Sequence, residues 1–296
     1  MKGNTYKNIK NEYVGRSYAM FCGILIVCLT LAIIIFLGYK GINTFTKEKY
    51  SIIKFLLSSN WKPDAEIPEF GSLIFILGSI FVSIGAIMIA APVSIALAIF
   101  INFISPKLGK KVILPSMELF VGIPSVVYGW IGISVLVPIL KNLSGGIGFS
   151  LLAGIIVLSI MIMPTVASIS SDALKTIPRD YLEASYGLGA TRWQTIKKVI
   201  VPASKTGILT GIVLGLARAF GEALAVQMVI GNTLKMPFNL FKPTVTLTSA
   251  ITMDMANTID GTPYNDSLWS LALLLLIISF IFILIVRIIG KRGEIK

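Results

Sequence analysis

The chain contains no histidine and only two cysteines in 296 residues. Without imidazole there are no His-based metal sites, no histidine proton relays and no Ser/His/Asp or Cys/His triads. Cys22 and Cys28 lie six residues apart in one apolar run. A helix would point them in different directions, so they read as packing residues and not as a disulfide. Charge is scarce as well: 14% of residues are Asp, Glu, Lys or Arg, against about 25% in soluble domains. No Gly-xxxx-Gly-Lys-Ser/Thr run occurs, so the chain is not expected to hydrolyse nucleotide itself. No catalytic constellation and no metal site is expected.

What is abundant is apolar sequence, 55% of the chain. The net charge of +12 is spread over short segments between apolar runs. That distribution fits the positive-inside rule of membrane proteins and argues against nucleic-acid binding. The expected fold is all-α, a polytopic membrane helical bundle of six transmembrane helices.

A bilayer core about 30 Å thick needs about 20 apolar residues per helix. Residues 1–18 are polar and basic and read as a cytoplasmic tail. The run 19–39 is the first span, too long for a signal-peptide core. Residues 40–70 form an extracytoplasmic loop with a short amphipathic helix around Tyr50–Leu57. The second span, 71–104, contains Pro92 and is expected to kink there. The third runs from about Met117 to Leu140, with Glu118 at the interface, and contains Gly122-Ile-Pro124-Ser-Val-Val-Tyr128-Gly129. Such a sequence makes a poor straight helix, and irregular backbone at membrane depth needs protein cover. This span is therefore expected inside the bundle, with Gly122 and Pro124 as packing residues.

The fourth span, 150–170, is interrupted by Pro164. A long polar loop, 171–205, precedes the fifth span, expected as one helix from Ser204 to about Ile230. A loop over 231–266 and a sixth span, 267–289, lead to a basic tail, 291–296. Seventeen of the 26 Lys and Arg fall on the side of the N-terminus and eight on the other, so a multi-pass arrangement with both termini cytoplasmic is expected.

Two stretches carry the functional reading. On a helix turning about 100° per residue, Gly207, Gly211, Gly215, Arg218 and Glu222 share one narrow stripe. Small-xxx-small spacing allows close helix approach. Charges at this depth cost roughly 2.5–3.5 kcal/mol each on insertion scales, so the stripe must face protein or water. An i,i+4 Arg218–Glu222 pair could lock helices together or flank a substrate pathway. In the polar loop, Asp180–Tyr186 reads as a short helix, broken by Gly187 and Gly189. Thr191-x-x-Gln194 is a capping-box pattern opening a second helix that ends near Pro202.

Glu183-Ala184-Ser185-xxx-Gly189, followed after nine residues by Val199-x-Val201-Pro202, resembles the EAA loop of ABC importer permeases. Ser185 stands where the family has alanine, and valines replace Ile and Leu. Gly122-Ile-Pro-Ser-Val-Val-Tyr-Gly129 and Ala217-Arg-Ala-Phe-Gly-Glu222-Ala-Leu-Ala-Val look like the signatures of phosphate-specific importer permeases of the C type.

The resemblance implies a type I ABC importer permease fold with a core over 71–290 and a coupling loop about 176–202. Glu183, Ala184, Ser185, Gly189 and Pro202 would couple to the ATPase, and Arg218 and Glu222 would lie on the substrate pathway. Partners would be an A-type permease subunit, two ATPase subunits that bind the ATP, and an extracytoplasmic phosphate-binding protein. The chain would need no cofactor of its own. Competing readings are a permease of the same family for molybdate, sulfate or an amino acid, and a self-contained channel or secondary transporter. The last is disfavoured because no clear repeat relates the chain halves.

Overall fold

A computed structural model describes residues 3–292 of the chain; residues 293–296 of the expected basic tail lie outside them. Helix α1 (Gly3–Gly41) absorbs most of the segment read as a separate tail, so the polar residues and the first span form one continuous helix. After a single turn, Asn43–Thr46, comes α2 (Ile52–Leu57). A two-stranded antiparallel hairpin follows, β1 (Trp61–Lys62) and β2 (Glu69–Phe70), with Trp61 opposite Phe70.

Helix α3 (Leu73–Ile99) runs through Pro92 without interruption and ends in a π-turn, Phe100–Ile104. Helix α4 (Leu114–Gly122) stops at Ile123–Pro124, both in extended ψ. Helix α5 (Ser125–Ile131) continues through a π-turn, Gly132–Leu136, into α6 (Val137–Ser144). Helix α7 (Leu151–Lys175) is capped by the Ser150 hydroxyl, which accepts from Ala153 N. The polar loop holds α8 (Arg179–Gly187) and α9 (Arg192–Thr195), the latter extended by a π-turn and a last turn at Val201–Ala203.

Helix α10 (Lys205–Gly221) is followed by α11 (Leu224–Ile230), then α12 (Leu247–Asp254) and α13 (Pro263–Arg292). Among the described residues, five helical stretches are long and apolar enough to cross a membrane. The pair Arg192–Ala203 and Lys205–Gly221, bent by 69°, makes a sixth.

Lipid offers helices no hydrophobic reason to associate, so close packing must come from small residues. Helix α3 buries Gly78, Val82, Ala86, Ala90, Ser94 and Ala98, one every four residues. From Val82 to Ala90 this seam packs on α7, the most buried span, against Ile155, Leu158 and Ile162, while Gly78 meets Val245. A Ser94 hydroxyl donating to Met163 O at 3.0 Å ties the two helices beside Pro164. Helix α10 packs on the same pair and on α13. A separate aromatic core, Phe55, Trp61, Phe70 and Phe75 with Leu247 and Leu268, fills the end formed by residues 50–75 and 245–271.

Four expectations are corrected. The fifth span is not one helix to Ile230: it breaks at Glu222, whose ψ of 127° is extended. The loop 231–266 contains α12, with Thr248 and Ser249 buried. The third span begins at Ser125, beyond the Ile123–Pro124 break, and within this chain it is peripheral rather than internal. Gly122 and Pro124 are exposed, and a Cβ on Gly122 would meet nothing within 4 Å. The close approaches come further on, where Gly129 faces Met228 and Gly132 faces Val229 and Val157.

Helix α1 stands apart, with none of its apolar window buried. It meets the rest of the chain at its C-terminal end. There Phe36 packs edge-on against Trp269 at 5.3 Å, Ser270 donates to Gly41 O at 2.7 Å, and Lys40 pairs with Asp260 at 2.7 Å.

Candidate functional site: an intramembrane arginine and a docking loop

Arg218 lies in the last turn of α10 and is partly buried. Its Nη1 donates to Thr165 Oγ1 of α7 at 2.7 Å. Among the described residues no carboxylate lies within ion-pair distance of it. The i,i+4 pair with Glu222 is absent because the helix ends one residue too early. Once Glu222 leaves the helical stripe, its side chain folds forward and Oε1 accepts from Ala225 N at 3.2 Å, capping the first turn of α11. Its carbonyl accepts from Thr248 Oγ1 at 2.8 Å, so α12 holds the break from the side. A second clasp joins the two helices where Thr252 Oγ1 donates to Gln227 Oε1 at 2.8 Å. Glu222 borders a cavity of about 10 Å³, with Ser79, Ser83, Thr246 and Thr248 on some walls and Val82, Phe220 and Val226 on others.

Of the glycines singled out from the sequence, three line the α10–α7 contact. A Cβ on Gly207 would overlap Ala173, one on Gly215 would overlap Val166, and one on Gly211 would sit 3.3 Å from Ile169. The same close approach brings Arg218 to Thr165. Tyr128, buried in α5, donates to Phe120 O at 2.8 Å and so spans the Ile123–Pro124 break.

The polar loop is built as two short helical limbs and a tight turn. Thr191 Oγ1 accepts from Gln194 N at 3.3 Å while Gln194 Oε1 accepts from Thr191 N at 2.8 Å, a complete capping box. Gly189 ends the first limb at φ +78°, which a side chain would resist. Ser185 and Thr195 are buried with their hydroxyls 2.9 Å apart. Thr195 donates to Thr191 O at 3.1 Å, which makes Ser185 the donor between the limbs.

Leu182 and Ile177 anchor this unit among Ala98, Leu174, Ile200 and Ile208 at the base of the bundle. Glu183 and Ala184 face outward, with Tyr181, Leu188 and Trp193 exposed around them. Leu188 is 90% exposed, an apolar side chain outside the cores of the chain. Pro202 lies in the last turn before the 69° bend, so the loop joins α10 through a stiff corner. Thr165, Thr195 and Thr248, which fasten these sites, carry no recognisable spacing in the sequence.

The chain is 51% identical over 286 residues to the "Probable ABC transporter permease protein YqgH" of Bacillus subtilis, covering 96% of this chain and 93% of that protein. It is 34% identical to the "Phosphate transport system permease protein PstC" of Mesorhizobium japonicum, covering 89% and 84%. To the "Probable phosphate transport system permease protein PstC" of Methanocaldococcus jannaschii it is 32% identical, covering 87% and 86%. In structure it resembles a chain of the inward-facing MetNI methionine ABC transporter, with a TM-score of 0.52 at 22% identity, over 72% of this chain and 91% of that one. That likeness shows an all-α polytopic importer-permease fold. The family described as "Binding-protein-dependent transport system inner membrane component" matches residues 92–294, and the chain belongs to it: it is a membrane permease subunit of an ABC importer.

Proposed function

We propose that this permease carries inorganic phosphate, with Arg218 as the group that attracts or holds the anion on its way through the bundle. The observation behind this reading is the guanidinium itself. It sits in the last turn of a helix apolar enough to be part of a span, held by a neutral hydroxyl and, among the described residues, within ion-pair distance of no carboxylate. A cation left uncompensated there is costly unless an anion visits it. Guanidinium forks match phosphate oxygens in pairs. Relatives carrying phosphate-transport names support the same substrate.

Glu222 serves the pathway indirectly in this reading, by fixing the helix break through Ala225 N and through Thr248. The complete transporter pairs this chain with an A-type permease, two ATPase subunits and an extracytoplasmic phosphate-binding protein. Closure of the ATPases on ATP pushes the loop around Glu183–Gly189, and the stiff corner at Pro202 passes that motion to α10 and Arg218. Access to Arg218 then alternates between the two faces. Both termini and the docking loop lie on the cytoplasmic side, and the loops 40–70 and 231–262 on the other.

Labelled-phosphate uptake in cells lacking the native chain tests this. Arg218→Ala is expected to cut uptake by roughly tenfold or more, with Arg218→Lys in between, because an ammonium keeps the charge and loses the fork. Normal uptake by Arg218→Ala, with the complex assembled, would make Arg218 a packing residue only. Uptake of molybdate or sulfate in place of phosphate would move the protein to another substrate of the same family.

A further inference from the structure

The loop that joins α11 to α12 shows an apolar surface between two cations. Leu234, Phe238, Leu240 and Phe241 are all exposed, Phe238 at 75%. Lys235 and Lys242 flank the last three and are exposed too. Among the described residues neither lysine lies within ion-pair distance of a carboxylate. The loop is nonetheless held in place. Leu151 N donates to Lys242 O at 3.0 Å and Leu152 N to Leu240 O at 2.8 Å, so its carbonyls take up two of the orphan donors that open α7. Within it, Phe241 N donates to Asn239 Oδ1 at 2.9 Å and Thr244 Oγ1 to Lys235 O at 2.7 Å.

These bonds set the depth of the loop. Helices α3 and α7 run side by side in constant register: Ser94 bonds to Met163 O and Asn102 to Ser171, each pair 69 positions apart. Just beyond, at the end of the polar loop, stand the charges of Lys107, Asp172 and Lys175. From Ser171 back to Leu151 the helix rises about 30 Å, the thickness of bilayer hydrocarbon. No charged residue occurs in that stretch or in residues 81–101 beside it. Leu151 therefore stands at the other hydrocarbon boundary, and the loop bonded to it stands there as well. Phe238 packs edge-on against Phe81 of α3 at 6.4 Å. Phe81 heads a row of exposed apolar side chains that continues through Ile84 and Met88, so the loop extends the apolar side of a span.

We propose that this loop is inserted in the lipid–water interface, with Phe238, Leu240 and Phe241 among the acyl chains and Lys235 and Lys242 on the phosphates of anionic phospholipids. On the orientation proposed above this is the extracytoplasmic leaflet. Lipid is favoured over another protein by depth and by charge together. Aromatic side chains gather at headgroup level. Lysines beside apolar side chains at that level extend their stems to the headgroups, whose anionic members they attract. The contact bears on the candidate pathway, because Thr248 of α12 bonds to the Glu222 carbonyl. A loop kept at fixed depth steadies the helix break from the membrane side.

The test places the photoreactive residue p-benzoyl-phenylalanine at position 238 of the complete transporter, in nanodiscs of phosphatidylglycerol and phosphatidylcholine with the binding protein present. Illumination is expected to give phospholipid adducts, read by mass spectrometry, where the same residue at position 188 of the polar loop gives none. Adducts to another subunit or to the binding protein, without lipid adducts above those at position 188, overturn the proposal. A second measurement addresses the lysines. Lys235→Gln/Lys242→Gln, shown to be assembled by co-elution with the ATPase subunits, is expected to bind phosphatidylglycerol roughly tenfold or more weakly than the unchanged chain by native mass spectrometry. Zwitterionic phosphatidylcholine is expected to bind both alike. Equal binding of phosphatidylglycerol by the two proteins overturns the proposal as well.

Discussion

At the residue scale, the glycines divide into those that touch something and those that do not. Gly215 has no room for a side chain, since a Cβ there overlaps Val166. Gly215→Val is therefore expected to cost about 1–3 kcal/mol by overpacking, read as a lower midpoint of thermal unfolding in detergent. Gly122→Ala, placed in open space, is expected to change stability by less than about 0.5 kcal/mol. Equal effects of the two would mean that the α10–α7 contact is not as close as described. Gly189 has space but the wrong backbone sign for a side chain, at φ +78°. Gly189→Val is expected to strain the turn by about 1–2 kcal/mol and to raise ATP hydrolysed per substrate moved. Gly189→Asn, which tolerates the left-handed region, is expected to stay near normal.

The division also shows what was legible from residue types. Glycines every fourth residue announced the α10 contact, because spacing alone sets which helix face they share. Gly122 looked similar, yet the break at Ile123–Pro124 redirects the chain, and the contacts are made by Gly129 and Gly132 instead.

At the scale of elements, the capping box is the best case of local sequence deciding local structure. Thr191 and Gln194 satisfy each other's backbone with no help from elsewhere. Thr191→Ala is expected to cost about 1 kcal/mol, to loosen the second limb of the docking loop, and to lower transport relative to ATP hydrolysis. Proteoliposomes in which that ratio is unchanged would count against the loop as the coupling element.

The break at Glu222 is a mixed case. Phe220-Gly-Glu-Ala-Leu224 contains no proline, and its residues other than Gly221 are compatible with helix. Locally, Gly221 weakens the helix and the Glu222 carboxylate caps Ala225 N; from a distance, Thr248 donates to the Glu222 carbonyl from α12. Helix α12 was itself hidden, because its Thr- and Ser-rich start reads as loop until burial and the Thr246 cap are seen. A tertiary hydrogen bond thus joins a local cap at the place where Arg218 and Glu222 part.

At the scale of the molecule, the bundle has a buried centre and a poorly covered flank. Helices α3 and α7 form the centre, while the α5–α6 span offers Trp130, Ile131, Val135 and Ile139 outward. The polar loop and the aromatic core occupy opposite ends, and α10 and α11 run between them. This arrangement suits a subunit that must register events on both faces of a membrane. The all-α bundle followed from hydropathy, with five apolar helical stretches and a bent pair as a sixth among the described residues. The pairing of spans did not, because lipid-facing and partner-facing surfaces are equally apolar and composition does not separate them.

Helix α1 adds a mechanical consequence. At 1.5 Å per residue its 39 residues extend about 58 Å, roughly twice the hydrocarbon thickness. Among the described contacts, those with the rest of the chain gather around Phe36–Gly41, so the helix is fastened at one end like a mast. With that length, a tilt of about 10° at the fastened end would carry the far tip through about 10 Å.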